Sequence, residues 1–529
     1  SRIFNTYMSR QLRRSFFTSS SPIAWRNSTS YDSNPVAKSL ATSYLVKILS
    51  SNVYDAAIET PLTKAANLSQ LLENNVYLKR EDLQPVFSFK LRGAINKISS
   101  LDETSRSKGV VTCSAGNHAQ GVALSSNQLG INATIVMPEA TPKIKVNAVK
   151  RFGGDRTTIL LHGKNYDEAA QEARRLEYEN GLAMVHPFDD PHVIAGQGTI
   201  AMEIMKGLRG SHVDVIFACV GGGGLLSGIA AYIKAIKPEV KIVGVEAIDA
   251  PGMTRSLLAG EVVTLPSVGL FADGAAVRTI GKETFRVCKE LVDEMVTVSN
   301  DEICSAIKLG FNDTRCVLEP AGALAIAGLV KYSRENNLKN KTLIAVSSGA
   351  NMDFDRLRFV SERADSNESL MAVTIPEKPG SFLSLYKSIH PRNITEFSYR
   401  HNGSSTANVI LSFHALPGTT MEQDKLTVRG TLEGNGFPTI DLSDNELAKA
   451  HVRHLAGGRA ISSWTNCSEV LYRFEFPESP GALDKFLRTL YHFNPGWSIS
   501  IFHYRNHGHD YGRVLVGILL KDGDKSALQ

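Results

Sequence analysis

From about residue 40 to 365 short apolar runs alternate with helical patterns, and this rhythm limits the possible folds more than any other feature of the chain. GVVTC (109–113) leads into a helical pattern through Leu129, ATIVMP (133–138) into one through Phe152, and VDVIFACV (213–220) into one through Ile236. KIVGVEAI (241–248) and KTLIAVSS (341–348) are further strands of the same kind. Such alternation builds α/β layers around a mostly parallel sheet. Ligands of these sheets bind beyond the carboxyl ends of the strands, so the loops that follow the strands are where chemistry belongs.

After Asp365 the pattern changes to an internal repeat. MAVTIPEKPGSFLSLYKSI (371–389), followed by NITEFSYRH, is echoed by YRFEFPESPGALDKFLRTL (472–490), followed by WSISIFHYRN. Each copy runs a strand into Pro-Glu-x-Pro-Gly and then a helix with apolar residues at i, i+3, i+4 and i+7: Phe382, Leu385, Tyr386 and Ile389 in one, Leu483, Phe486, Leu487 and Leu490 in the other. A second strand ending in Tyr-Arg follows in both. The reading is two small α+β modules at 369–445 and 468–529, joined by a helical connector that stops at Gly457-Gly458.

The 529 residues carry 58 basic and 53 acidic side chains, and the excess sits at one end. Residues 1–31 hold Arg2, Arg10, Arg13, Arg14 and Arg26 with no Asp, Glu or Lys, which leaves 53 basic against 53 acidic residues in the remainder. A neutral body offers no electrostatic footprint for nucleic acid. The Arg- and Ser-rich segment 1–35, acid-free through residue 31, has the composition of an organellar transit leader. It predicts a mitochondrial matrix location, with a plastid as the alternative. No stretch approaches the ~20 apolar residues of a membrane span. Six cysteines without CxxC pairs predict reduced, mostly buried thiols and no metal site.

Four loops carry candidate chemistry. In KREDLQPVFSFKLRGA (79–94), Lys90 enters an apolar helical stretch, where an amine loses its proton more easily, as a Schiff-base lysine requires. In VTCSAGNHAQG (111–121), Ser114, Ala115, Gly116, Asn117 and His118 place backbone N–H groups and short side chains at a helix N-terminus, a seat for a carboxylate; an ordinary cap with a turn glycine would read the same. Gly221, Gly222, Gly223 and Gly224 stand between an apolar strand and a helix, where successive amides can close around a phosphate. They fit GxGxxG in no register, so a smaller phosphorylated cofactor is favoured over a dinucleotide, although Glu246 stands near the spacing of a ribose-binding acid. In AVSSGAN (345–351), Ser348 can hydrogen-bond a ring nitrogen, or serve only the turn.

SFKLRGA, SAGNHAQG, GGGGL and SSGAN, in that order, resemble the fold-type II pyridoxal-phosphate enzymes. With the doubled FPESPGAL-type tail, the chain from about 55 to 520 is similar to the biosynthetic threonine dehydratases. The resemblance implies a catalytic domain of two α/β lobes over 40–365, followed by two ACT-like, ferredoxin-like regulatory modules. It implies pyridoxal 5'-phosphate attached at Lys90 with Phe89 against its ring, Asn117 on the ring hydroxyl, Gly221 through Leu225 on the phosphate and Ser348 on the pyridine nitrogen. Ser114 to His118 would seat the substrate.

The activity it implies is dehydration and deamination of L-threonine, with L-serine a further substrate, to 2-oxobutanoate and ammonia at the first step of isoleucine biosynthesis. Isoleucine and valine are the implied effectors and the implied assembly is a homotetramer; the repeat itself places the effectors near the strand-end pairs Tyr399-Arg400 and Tyr504-Arg505, tyrosines that could instead only pack the module interface. Two alternatives stay open from the residues alone. A serine dehydratase or racemase type of enzyme shares the core, but the racemase carries serine in the slot of Ala115, and alanine cannot move a proton there. A catalytically dead amino-acid sensor would have no need of Lys90, Asn117 and Ser348 together.

Overall fold

The computed structural model describes residues 31, 34–354, 356–364, 368–400, 405–416, 418–443, 445, 467–477, 482–493, 497–505 and 511–521. The leader and the connector with Gly457-Gly458 therefore lie outside the described residues. The chain divides into two compact units, 1–365 and 366–529.

The first unit holds two sheets. One contains β1 (Leu62–Lys64), β2 (Asn75–Arg80), β7 (Val215–Cys219), β8 (Lys241–Ala247), β9 (Glu294–Val298) and β10 (Thr342–Ser347) in the order β1-β2-β10-β7-β8-β9. Only the edge strand β1 is antiparallel to its neighbour. The other contains β3 (Val110–Cys113), β4 (Ala133–Met137), β5 (Thr157–Leu161) and β6 (Ala183–Met184), all parallel, in the order β5-β4-β3-β6. β7 is buried at every position, as a central parallel strand covered on both faces must be, and this is why VIFAC reads as an unbroken apolar run. Each apolar run picked out in the sequence is a strand, but they divide between two lobes.

The helix Pro35–Leu49 begins ahead of residue 40. Asn34 accepts from the amides of Val36 and Ala37, proline occupies the first turn, and Leu40, Tyr44 and Ile48 are buried in the larger core. Of the cysteines, Cys113, Cys219, Cys288 and Cys304 are buried and in no disulfide, and burial pushes the thiols of Cys113 and Cys288 up to about 12. No described helix is long and apolar enough to cross a membrane.

The second unit is one seven-stranded antiparallel sheet. Its strands are β11 (Glu368–Pro376), β12 (Ile394–Arg400), β13 (Thr406–His414), β14 (Thr439–Asp441), β15 (Cys467–Pro477), β16 (Ser498–Arg505) and β17 (Tyr511–Lys521), in the order β14-β11-β13-β12-β16-β17-β15. The two repeats meet where β12 pairs with β16, with Phe397 opposite Tyr504 and Tyr399 opposite Phe502. Phe382, Leu385, Tyr386 and Ile389 are all buried, as are Leu483 and Leu487, so both helices lay the apolar stripe read in the sequence onto the sheet.

Beneath the start of the helix Lys90–Ser99 lies a fully enclosed ion network. The Arg92 guanidinium meets Glu81 at 2.7 and 2.8 Å and Glu203 at 2.6 and 2.9 Å, and Lys79 adds a 2.5 Å bond to Glu203. Arg92, Lys79 and Glu81 have no exposed surface. Burial alone would raise the Glu203 carboxyl, but Arg92 and Lys79 hold it below the usual range. Two cations balance two anions, and removing one leaves a buried charge without its partner. Arg92→Met is expected to destabilise the catalytic unit by about 3–5 kcal/mol, read as a lower denaturant midpoint; a midpoint equal to that of the parent protein would contradict it.

Candidate active site

Three adjacent strands of the six-stranded sheet deliver three of the four loops to one place. β2 ends at Arg80 and feeds the turn to Lys90, its neighbour β10 ends at Ser347-Ser348, and β7 next to that ends at Cys219 before the glycine run. The fourth loop, Ser114 to Asn117, leaves β3 of the other sheet, so the site lies between the lobes.

The lysine loop is stitched to the serine loop by backbone bonds. Phe89 N donates to Ser348 O at 3.1 Å, and Ala350 N donates to Phe87 O at 2.9 Å. Phe87 holds φ at 57°, the left-handed bend that turns the chain from β2 into the helix. Phe89 itself is buried, with its ring 5.3 Å from the Lys90 amine. Lys90 Nζ donates to Pro187 O at 2.9 Å. The residue keeps some accessible surface, yet protein encloses the amine itself. That burial lowers it to about 8, against smaller opposing effects of Cys219 and Glu319.

The glycine run needs glycine for reasons of packing. A Cβ at Gly222 would sit 2.2 Å from the Phe188 ring, and Gly223 adopts φ 98°. A side chain at Gly223 would strike Met253 and Thr284 behind the loop, so it is barred by backbone conformation and packing, not by an oncoming phosphate. Gly223 caps the helix Gly224–Ile236 with no side-chain acceptor, which leaves the first-turn amides available to an anion. Leu225 is buried in the core, so only its backbone can face a ligand.

The helix Asn117–Gln128 likewise has no side-chain cap, and Ser114, Ala115 and Gly116 are half-buried on its rim. A Cβ at Gly116 would meet only open space. His118 is different. Its ring is buried with Nε2 2.9 Å from Val185 O, and desolvation and the Lys90 charge lower it to about 3. It stays neutral, so any share it takes in seating a carboxylate comes from the helix N-terminus. Ser348 is buried; it accepts from the Cys219 thiol at 3.3 Å and gives its own proton to Ala321 O at 3.3 Å, a long bond that a ring nitrogen could replace. Asn117 Nδ2 donates to Glu319 at 2.6 Å.

Glu246 is accounted for by structure. Its buried carboxyl accepts from Met253 N, Thr254 N and the Thr254 hydroxyl, and so it holds the start of the helix Gly252–Ala259. Several residues of the chamber were not singled out from sequence: Phe188, Cys219, Glu319 and Asn351. Asn351 stands inside the SSGAN motif, whereas Glu319 before Pro320 reads only as a helix start.

Two helix ends without side-chain caps, a glycine run that packing and backbone conformation keep bare of side chains and an enclosed amine fit a phosphorylated aldehyde cofactor, with Lys90 the residue able to bond it. An amine reacts with an aldehyde only when unprotonated. Recovery of visible absorbance after adding pyridoxal phosphate to cofactor-stripped protein is therefore expected to quicken as pH rises through about 8. A rise centred near the ordinary lysine value would contradict the enclosure of Lys90.

Comparison with known proteins agrees with this geometry. The pyridoxal-phosphate dependent enzyme family matches residues 53–349, and the C-terminal regulatory domain of threonine dehydratase matches 360–452 and 461–529. The biosynthetic L-threonine dehydratase of Burkholderia multivorans is 50% identical over 489 residues, covering 92% of this chain and 94% of that protein. The mitochondrial threonine dehydratase of Schizosaccharomyces pombe is 51% identical over 490 residues, covering 92% of this chain and 80% of that one. The solved structure of the processed form of threonine deaminase isoform 2 from Solanum lycopersicum superposes with a TM-score of 0.59 at 50% identity, over 61% of this chain and 88% of that one. With its lysine, glycine and serine loops gathered between two α/β lobes and a paired module following them in sequence, the chain belongs to the biosynthetic threonine dehydratases, a family of pyridoxal-phosphate-dependent enzymes.

Proposed function

We propose that the protein removes water and then ammonia from L-threonine, with L-serine a further substrate, yielding 2-oxobutanoate from threonine as the entry to isoleucine synthesis. The observation that carries this is the convergence of Lys90, Asn117, Ser348 and the Gly221–Gly224 loop on one chamber. Bound there, pyridoxal phosphate supplies the electron sink that stabilises negative charge at the α-carbon.

The chain's own groups do the rest. Lys90 holds the cofactor and, once displaced by the substrate amine, is the base for the α-proton; its depressed proton affinity keeps a useful fraction neutral near pH 8. The amides of Gly221 through Leu225 grip the phosphate, Asn117 orients the ring by its hydroxyl and Phe89 packs against it. Ser348, already an acceptor from Cys219, has its one proton to offer the pyridine nitrogen. The open start of the helix Asn117–Gln128, with Ser114 and the backbone of Ala115, Gly116 and His118, seats the substrate carboxylate. Ala115 has no acid/base group, which favours elimination over racemisation. The hydroxide that leaves carbon β returns as water in the hydrolysis that frees ammonia, so the net change is threonine to 2-oxobutanoate and ammonia.

The second unit is the regulatory half. Its cavity is lined from both repeats, by Glu377, Phe382 and Tyr399 on one side and Leu487, Tyr491 and Trp497 on the other. The Tyr399 hydroxyl donates to Glu377 at 2.6 Å. A carboxylate, an apolar wall and the start of the helix Ser381–Ile389 suit the ammonium, side chain and carboxylate of a branched-chain amino acid. We take isoleucine to bind here as inhibitor and valine as its antagonist. Tyr504 lies in the shared core and lines no described cavity, while the turn 478–481 beside its repeat and the side chains of Arg400 and Arg505 lie outside the described residues.

The family resemblance further supports a homotetramer. The Arg-rich leader, acid-free through residue 31, and the mitochondrial naming of the Schizosaccharomyces pombe relative support a matrix location.

Lys90→Ala is expected to lower threonine turnover by about three orders of magnitude, measured as 2-oxobutanoate formed; a rate near that of the parent would refute the assignment. Phe382→Ala is expected to raise the isoleucine midpoint of inhibition about tenfold, the effect of losing one aromatic wall. An unchanged midpoint would move the effector elsewhere.

A further inference from the structure

Glu319 is a buried carboxyl that the reaction described above does not use. It precedes the helix Pro320–Glu335, and its backbone N–H donates to Gly349 O at 3.2 Å. Its side chain faces the chamber: a Cβ at Gly349 would lie 2.3 Å from Glu319 Oε1, and one at Gly274 would lie 3.8 Å from it. The carboxyl thus stands beside the Ser348–Gly349 turn, between Asn117 and the lysine loop.

A chain of hydrogen bonds assigns the direction of every amide in that corner. Val86 O can only accept, so Asn351 must present Nδ2 to it, at 2.9 Å. The same Nδ2 reaches Asn117 Oδ1 at 2.7 Å. Asn117 must then direct Nδ2 at Glu319 Oε1, at 2.6 Å. Amide orientation is ordinarily a matter of inference, but here a backbone carbonyl at one end and a carboxyl at the other leave one arrangement. Asn117 retains a single unspent N–H.

The groups facing Glu319 are Asn117, Asp273 on the 273–275 turn, Lys145 on the Lys143–Gly153 helix, Arg356 on the Arg356–Arg363 helix, Lys90, and Cys219 at the end of β7. Desolvation raises the carboxyl to about 7, against the hydrogen bond from Asn117, so it changes charge within the working range of an enzyme. When ionised it raises the proton affinity of Lys90.

We propose that Glu319 is a positioning residue of the reaction centre, which locks the Asn117 amide so that its free N–H meets the cofactor's ring oxygen and sets by its charge the proton affinity of the Lys90 nitrogen. The proposal rests on the placement of Lys90 and Asn117 made above. Glutamine at 319 can still accept from Asn117 but cannot ionise, whereas alanine removes the acceptor.

The test compares holoenzymes of the parent, Glu319→Gln, Glu319→Ala and Asn117→Ala by cofactor dissociation constant and by the pH dependence of the bound cofactor's visible band. Glu319→Gln is expected to keep cofactor affinity within about twofold while moving the pH midpoint of the band downward, because a negative charge beside the lysine nitrogen is gone. Glu319→Ala is expected to weaken cofactor binding about tenfold, as Asn117→Ala does. If Asn117→Ala weakens binding while Glu319→Gln leaves the band's midpoint in place, the role of Glu319 is overturned and that of Asn117 stands. If Asn117→Ala changes neither readout, the placement of Asn117 fails, and the role of Glu319 with it. Should the alanine variant not fold, the midpoint of the glutamine variant decides alone.

Discussion

Everything in the catalytic unit is hung on the enclosed charges around Arg92. That guanidinium lies two residues beyond Lys90 on the same first helical turn and is clamped by Glu81, which follows β2, and by Glu203, which belongs to the Pro191–Gly207 helix. The three elements can approach only if all the charges are matched, because an unmatched one in that interior is far more costly than any single apolar contact. Such a network specifies more than it stabilises. Apolar side chains could fill the same volume, but they would tolerate rotation of the helix, and the lysine amine would then no longer be held beside Pro187 and the Ser348 turn.

The centre is poised by the same means. Burial moves the amine of Lys90 down and the carboxyl of Glu319 up until the two meet near neutrality, at about 8 and about 7. Neither value belongs to the side chain alone. Each results from placing a titratable group where water is scarce and an opposite partner is near, as in many enzyme sites. His118, equally buried but with no anion beside it, is driven to about 3 and removed from proton chemistry altogether.

Much of this was legible in the residues. Strands such as VIFAC announce themselves because both faces are covered, and glycine and serine loops announce themselves because they follow such strands. The repeat in the tail gave its helices, whose stripes Phe382-Leu385-Tyr386-Ile389 and Leu483-Leu487 are buried as spaced. The division into two sheets follows from the family resemblance and not from the periodicity, since strand order depends on pairing between segments more than a hundred residues apart, such as β2 with β10. Glu319 was hidden for a similar reason: its meaning comes from Asn117, two hundred and two positions away, and nothing local separates it from any glutamate before a helix. The glycine run stands in the sequence between a strand and a helix, but Phe188, Met253 and Thr284, which demand the missing side chains, come from three distant segments.

The joint between the two tail repeats is written in backbone. From Glu396 to Arg400, β12 is matched residue for residue against β16, and the bonds of a strand pair involve main-chain groups that every residue except proline supplies in full. The walls of the neighbouring cavity, by contrast, include the residues Phe382, Tyr399, Leu487, Tyr491 and Trp497, whose bulk is in their side chains. The two can therefore drift independently. Substitution can retune what the cavity accepts without loosening the seam, so one architecture can answer to different small molecules in different lineages while its two halves stay in register.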